Sequence, residues 1–408
     1  MPPYAAPIGF AERRVALYTD DYAADPHGVY REMRRRFGSL VPVELAPGVP
    51  ATLVIGYYTA LRIMNDPERF PADPRMWEQN IPADCPVRPM MEWRPNALRS
   101  DGTAHARYRS ATVVGLEKID LHQLHTTVER MAVALINSFC EDGHCDIVGQ
   151  YALPIIFGTL NAILGCPPDI SQRAATGMAA MFDTLDAADG NRMLNKALLE
   201  LIWTKRANPA DDVTTQLMQH PAKFNDEEMV HQLALLYGAG IEPPQNLIVN
   251  TLRLMLTDER FAAGVLGGSL STRDALDEVL FNDPPMANYC ISYPRQPILI
   301  GDVWLPAHEP VVISMAACNN DPAINNGDFI DNRSHLAFST GPHACPAQPT
   351  ALLIVQDAID QLLDALPDMK LAIPQERLQW RPGPFHRALV SLPVVFPSSP
   401  PMHLNPVS

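Results

Sequence analysis

From Asp226 to about Leu256 the chain carries one sustained apolar helical pattern. Roughly thirty residues at 1.5 Å each span about 45 Å, the width of a whole domain. Asn225 and Glu228 read as a capping box that starts it. Pro243-Pro244 interrupt it, and the spacing predicts a break there, because each proline lacks the N–H that would bond the carbonyl four residues back. A chain built around such an element is mainly α. Its 40 prolines in 408 residues, about twice the usual share, are scattered, so they punctuate many elements and mark no single linker.

The flanking text agrees. Asp25-Pro26 begin a helix that stops at Gly38. LVPVEL and ATLVIG, around Ala46-Pro47-Gly48, form a hairpin. Residues 66–97 are rich in Pro, Met, Trp and Asn without a clear period and read as a long ordered loop. Asp120 caps a helix carrying Leu121, Leu124, Val128, Met131 and Leu135. After Pro284-Pro285 come short strand-like runs, QPILIG, VWLP and PVVISM. A last helix runs from about Thr350 to Leu366, and ALVSLPVVF is strand-like again. No linker divides the pattern, so 1–408 reads as a single domain.

Composition removes several function classes. The net charge of −15 argues against a nucleic-acid binder. No run of 18 apolar residues occurs, so no membrane-spanning helix is expected. The N-terminus lacks an apolar signal-peptide core, and seven cysteines at low density suit a reduced cytoplasmic setting. Cys140, His144 and Cys145 have no second ligand pair at zinc-site spacing, and no glycine-rich phosphate loop is present.

The chemistry concentrates in Phe338-Ser-Thr-Gly341-Pro-His343-Ala-Cys345. A lone cysteine is more often a buried structural residue than a ligand. This one precedes a helix, where free amides and the helix dipole favour a thiolate. Gly341 lets the backbone curl, and Phe338 can shield one side.

This F-x-x-G-x-H-x-C segment resembles the haem-binding loop of the cytochrome P450 family. DPHGVYREMRRRFG, DGTAHARYR (101–109), LLYGAGIE (235–242), LPAHEPVVISMAACNNDP (305–322) and NRSHLAFSTGPHACPAQ (332–348) resemble soluble bacterial members in the same order. The resemblance implies a helical bundle around haem with small β-sheets. It implies heme b (iron-protoporphyrin IX), with Cys345 as the proximal thiolate ligand of the metal. It places His105 and Arg109 on one haem propionate and His343 on the other. The family's further propionate arginine falls nearest Ser292, with Tyr293 beside it and Arg295 as a weaker candidate. Ala239 and Gly240 are small enough for a porphyrin to approach, and Glu242 matches the family's distal acid.

Two departures stand out. Pro243 replaces the threonine whose hydroxyl helps deliver protons to dioxygen, leaving water at the freed carbonyls of Ala239 and Gly240 as a substitute. The family's E-x-x-R reads Glu278-Val-Leu-Phe281, so Arg333 is the expected partner of Glu278. The implied activity is oxidation of a small organic molecule by a monooxygenase fed by ferredoxin and ferredoxin reductase, with Arg107 a candidate for docking them. Oxidative coupling, peroxide-driven oxidation, or a haem-binding accessory or sensor role are the alternatives. Met90, Met91, Trp93 and Leu236 are candidate substrate contacts.

Overall fold

The helix Asp226–Thr257 runs through the molecule as one piece of 32 residues, about 48 Å long. Its capping box forms as expected: Asn225 Oδ1 accepts from the Glu228 N–H, and Glu228 accepts from the Asn225 N–H. It does not break at Pro243-Pro244, contrary to expectation. Proline's fixed φ is compatible with a helix. The flanking turns are held by buried Tyr237, Ile241, Leu247, Ile248 and Val249, so packing outweighs the loss of two hydrogen bonds.

The computed structural model of the chain describes residues 14–82, 84–182, 187–262, 270–324 and 332–403. Helices Leu121–Ile136, Leu153–Leu164, Ala187–Ala207, Thr272–Asn282 and Gln348–Ala365 surround the long one and share its main apolar core. Cys140 and Cys145 are buried in that core, and burial pushes the Cys145 thiol up to about 12. Among the described residues no helix is long and apolar enough to cross a membrane.

A five-stranded sheet carries a second core. The predicted hairpin is its centre: Leu40–Ala46 pairs antiparallel with Val49–Val54 across Pro47-Gly48, and Gly48 takes a φ of 73°. Val311–Ser314 joins Val49–Val54 in parallel, and Asn288–Ser292 closes that side. A bulge at Cys290, with φ of 43°, breaks the last ladder. Ile298–Ile300 and Val303–Leu305 form a separate pair. Of ALVSLPVVF only Pro393–Val395 is strand, between His144–Asp146 and Lys370–Leu371.

The missing E-x-x-R arginine reorganises one end. Arg333 lies 3.4 Å from Asp277, not Glu278, and Arg273 reaches the same carboxylate at 3.3 Å. Glu278 instead pairs with Arg260 at 2.7 Å. On this helix residue 277 faces inward and 278 faces partly out, so the pairing expected for Glu278 falls on its neighbour. Phe281 is buried, its ring edge-on to His335 at 5.4 Å. Asp283, one residue past that helix, gathers Arg253 and Arg387 at 3.1 Å and His27 at 3.4 Å. That node joins the long helix, the C-terminal segment and the helix Pro26–Phe37.

Candidate active site

The cysteine loop is set by its backbone. Ser339 and Gly341 take φ of 61° and 70°, a 3-10 turn covers Gly341–His343, and the Cys345 N–H donates to the Phe338 carbonyl at 2.8 Å. Gly341 is required twice over. Its φ disfavours other residues, and a methyl group there would sit 2.5 Å from the Met64 carbonyl oxygen. Phe338 packs at the edge of the main core, its ring 6.0 Å from that of His335.

Cys345 stands three residues before the helix Gln348–Ala365. Its side chain is exposed, yet the protein around it pushes the thiol pKa up. The Ala347 N–H and the Arg109 charge act the other way and do not win. The bare thiol therefore stays protonated at neutral pH, and the expected preference for thiolate is not met by the helix end alone. A bound metal ion would supply what is missing, since a coordinating thiol is deprotonated outright.

Helix Gly102–Glu117 brings His105 and Arg109 to this loop. Arg109 Nη2 donates to the Ala344 carbonyl, next to the cysteine. The His105 ring lies 4.4 Å from that of His343. His343 Nε2 is also 3.8 Å from Asp101 Oδ1. His105 Nε2 is buried without a partner. Burial, then the charges of His343 and Arg109, lower the His105 pKa to about 4. A buried nitrogen without a partner, a second imidazole and a guanidinium lie together beside the cysteine loop, a setting suited to an anionic group. These residues fit haem.

The long helix presents an open face in mid-course. Gly238 and Ala239 are exposed although Tyr237 and Ile241 beside them are buried, and Leu235 and Glu242 continue that face at helical spacing. Gly240 is not on it. A Cβ there would meet Leu160 at 3.1 Å, so its smallness serves packing against Leu153–Leu164. Glu242 is held in an ion pair with Arg381 of the C-terminal segment. Beside them His386 keeps a buried, unpartnered Nε2, and burial followed by the Arg381 charge lowers its pKa. Sequence reading passed over Arg381 and His386. Only an unmatched acid at Glu242 could have signalled a distant base.

Other expectations divide. Met90 and Trp93 are partly exposed, with Arg75 stacked 5.3 Å over Trp93, and Leu236 is half-buried. Met91 is fully buried in the second core and lines no open surface, because the four-residue helix Arg88–Met91 turns it inward. Arg295 lies exposed in the connection after Asn288–Ser292, where its charge bears on Asp73. Ser292 Oγ and the Tyr293 hydroxyl are buried without partners. Arg107 is not a free surface cation: its guanidinium holds Glu228 at 2.9 Å and the Ala222 carbonyl at 2.9 Å.

The chain thus combines a cysteine loop before one helix with a long helix that carries an open, small-residue face. Over most of its length the chain is similar to bacterial cytochrome P450s. It is 26% identical over 395 residues to 2-hydroxy-5-methyl-1-naphthoate 7-hydroxylase of Streptomyces carzinostaticus, covering 92% of this chain and 96% of that protein. It is 26% identical over 388 residues to the cytochrome P450 monooxygenase PikC of Streptomyces venezuelae, covering 92% of each. The solved structure of CYP154C4 from Streptomyces sp. W2061 superposes with a TM-score of 0.84 at 26% identity, covering 94% of this chain and 98% of that one. No protein-family model matches the chain. Relatives of this class bind haem, oxidise small molecules and take electrons from external donors.

Proposed function

We propose that residues 1–408 act as one domain in the cytoplasm, a monooxygenase that binds heme b and receives electrons from a ferredoxin and its reductase. The observation that carries this reading is the convergence of His105, Arg109 and His343 on the loop that ends in Cys345. Bound haem supplies oxygen activation, and a thiolate ligand favours O–O cleavage. Cys345 would hold the iron, while Arg109, His105 and His343 orient and neutralise the carboxylates. The small, exposed Gly238 and Ala239 would leave room for a bound haem beside the long helix. Met90, Trp93 and Leu236 supply apolar contacts for a small organic substrate.

Proton delivery is where this chain is unusual. Pro243 offers no hydroxyl, and Glu242 is tied to Arg381. The carbonyls of Ala239 and Gly240, released by the two prolines, can hold water, and Glu242 can exchange protons with it only by loosening from Arg381. That arrangement favours oxidations tolerant of slow proton delivery, including oxidative coupling or peroxide-driven turnover. The test is spectroscopic. Reduced protein under carbon monoxide should show the red-shifted Soret band of thiolate ligation, and Cys345→Ser should lose it. Retention of that band in Cys345→Ser would sink the assignment.

A further inference from the structure

Four acidic or basic side chains other than histidine are buried among the described residues: Arg99, Lys205, Asp212 and Asp277. Lys205 and Asp212 pair at 2.5 Å, and Asp277 is met by Arg273 and Arg333. Arg99, only 3% exposed, has no acid within ion-pair distance among the described residues. Its Nη2 donates to the Tyr289 hydroxyl at 2.7 Å and to the Met90 carbonyl, both neutral. Its Nε and Nη1 donate to nothing among the described residues. A buried cation with only neutral partners is costly unless an anion completes it.

The surroundings are built to hold that guanidinium still. Arg99 ends the 3-10 turn Ala97–Arg99, whose Leu98 and Arg99 N–H groups donate to buried Asn96 Oδ1 at 3.1 Å. Ser100 Oγ donates to the Asn96 carbonyl at 2.6 Å, and buried Gln232 of the long helix donates to the Pro95 carbonyl at 2.8 Å. The guanidinium lies 5.5 Å over the Tyr289 ring. The Tyr293 hydroxyl, buried and unpartnered, is close enough to feel its charge. Three residues after Arg99, the chain enters the helix that bears His105 and Arg109.

We infer that Arg99, with the Tyr293 hydroxyl, is a receptor for an organic carboxylate. The Nε and Nη1 groups can each donate a charge-assisted hydrogen bond to a carboxylate oxygen. One positive charge balances one carboxylate and would leave a phosphate dianion under-neutralised. Two sources carry that chemistry here: a haem propionate, reached from this turn where Ser292 offers no cation, or a carboxylate on the substrate. The inference rests on the haem-thiolate reading above, which the carbon monoxide spectrum tests independently of Arg99.

The experiment uses Arg99→Gln and Arg99→Lys in the haem-loaded protein. The first arm follows haem transfer to an apo-globin acceptor. The second follows Soret shifts on titration with 1-naphthoate and palmitate against their amides. If the source is propionate, haem transfer should quicken about tenfold or more in Arg99→Gln, the loss of one charge-assisted contact. If it is substrate, transfer is unchanged, and a preference of wild type for the acid over the amide, about tenfold or more, disappears. Arg99→Lys should fall between wild type and Arg99→Gln in the affected arm, and it serves alone if Arg99→Gln does not fold. Tyr293→Phe should weaken the same arm. Unchanged haem transfer and unchanged acid-to-amide ratios in the Arg99 variants overturn the proposal.

Discussion

The rings of His105 and His343 stand 4.4 Å apart, tilted by 51°, with Arg109 on the same helix face as His105. Three groups that repel one another when charged are held together, and burial keeps His105 neutral down to about pH 4. In the haem-free chain the unfolded state, with an ordinary histidine pKa near 6.5, binds the extra proton first. Stability from this group is therefore complete above about pH 6.5 and is lost as pH falls toward 4. Denaturant midpoints between pH 7 and 4 should fall more steeply for wild type than for His105→Gln. Equal slopes would remove His105 from the set. Haem carboxylates beside the ring should reduce the slope by favouring the protonated form.

Asp277 is 2% exposed and faces two guanidiniums, whereas Arg333 is 61% exposed. Asp277→Asn should cost about 3–5 kcal/mol, because it leaves two cations around a buried neutral group. Arg333→Ala should cost under about 1 kcal/mol, since Arg273 remains. Urea unfolding of the two variants decides. An Arg333→Ala protein as unstable as Asp277→Asn would mean that Arg273 does not share the load.

Gly341→Ala meets both a left-handed φ and the Met64 carbonyl. A loss of about 2 kcal/mol or more is expected, with lowered haem content on purification. Full haem content at wild-type stability would show that the cysteine loop can shift.

Glu228 caps the long helix and binds Arg107 and the Tyr108 hydroxyl. Arg107 first, helped by the Asn225 N–H and Tyr108, lowers its pKa to about 2 against burial. A depressed carboxylate stabilises above its unfolded pKa of about 4.5 and loses that contribution as pH falls to about 2. Glu228→Gln should cost about 1–3 kcal/mol at pH 7 and little at pH 2.5. Thermal melts at both values test this, and an equal cost at both would contradict the ion pair.

Pro243→Thr restores a hydroxyl beside a distorted turn, and Arg381→Gln frees Glu242 from its partner. If proton delivery limits turnover, wild type should release peroxide and respond well to added hydrogen peroxide. Each substitution should then raise the ratio of product to reduced nicotinamide consumed, Pro243→Thr only partly because Pro244 remains. A tightly coupled wild type made worse by Pro243→Thr would show that proline serves a working relay.

The helical class, the capped long helix, the hairpin around Pro47-Gly48 and the loop that ends in Cys345 are all legible in the amino-acid order. Those features are local: caps, turns and periodic apolar faces depend on residues a few positions apart. The sequence also brought His105, Arg109 and His343 into view, because DGTAHARYR and the cysteine loop resemble cytochrome P450 segments that carry such residues. Only the tertiary structure decided that the helix survives two prolines, that Asp277 and not Glu278 takes Arg333, that Gly240 packs on Leu160 and that Met91 is core. It alone brought Arg381 to Glu242 across 139 residues and left Arg99 buried without an acid. Such pairings are fixed by which helix face turns inward and by which distant segment packs on it, and neither is encoded in local spacing.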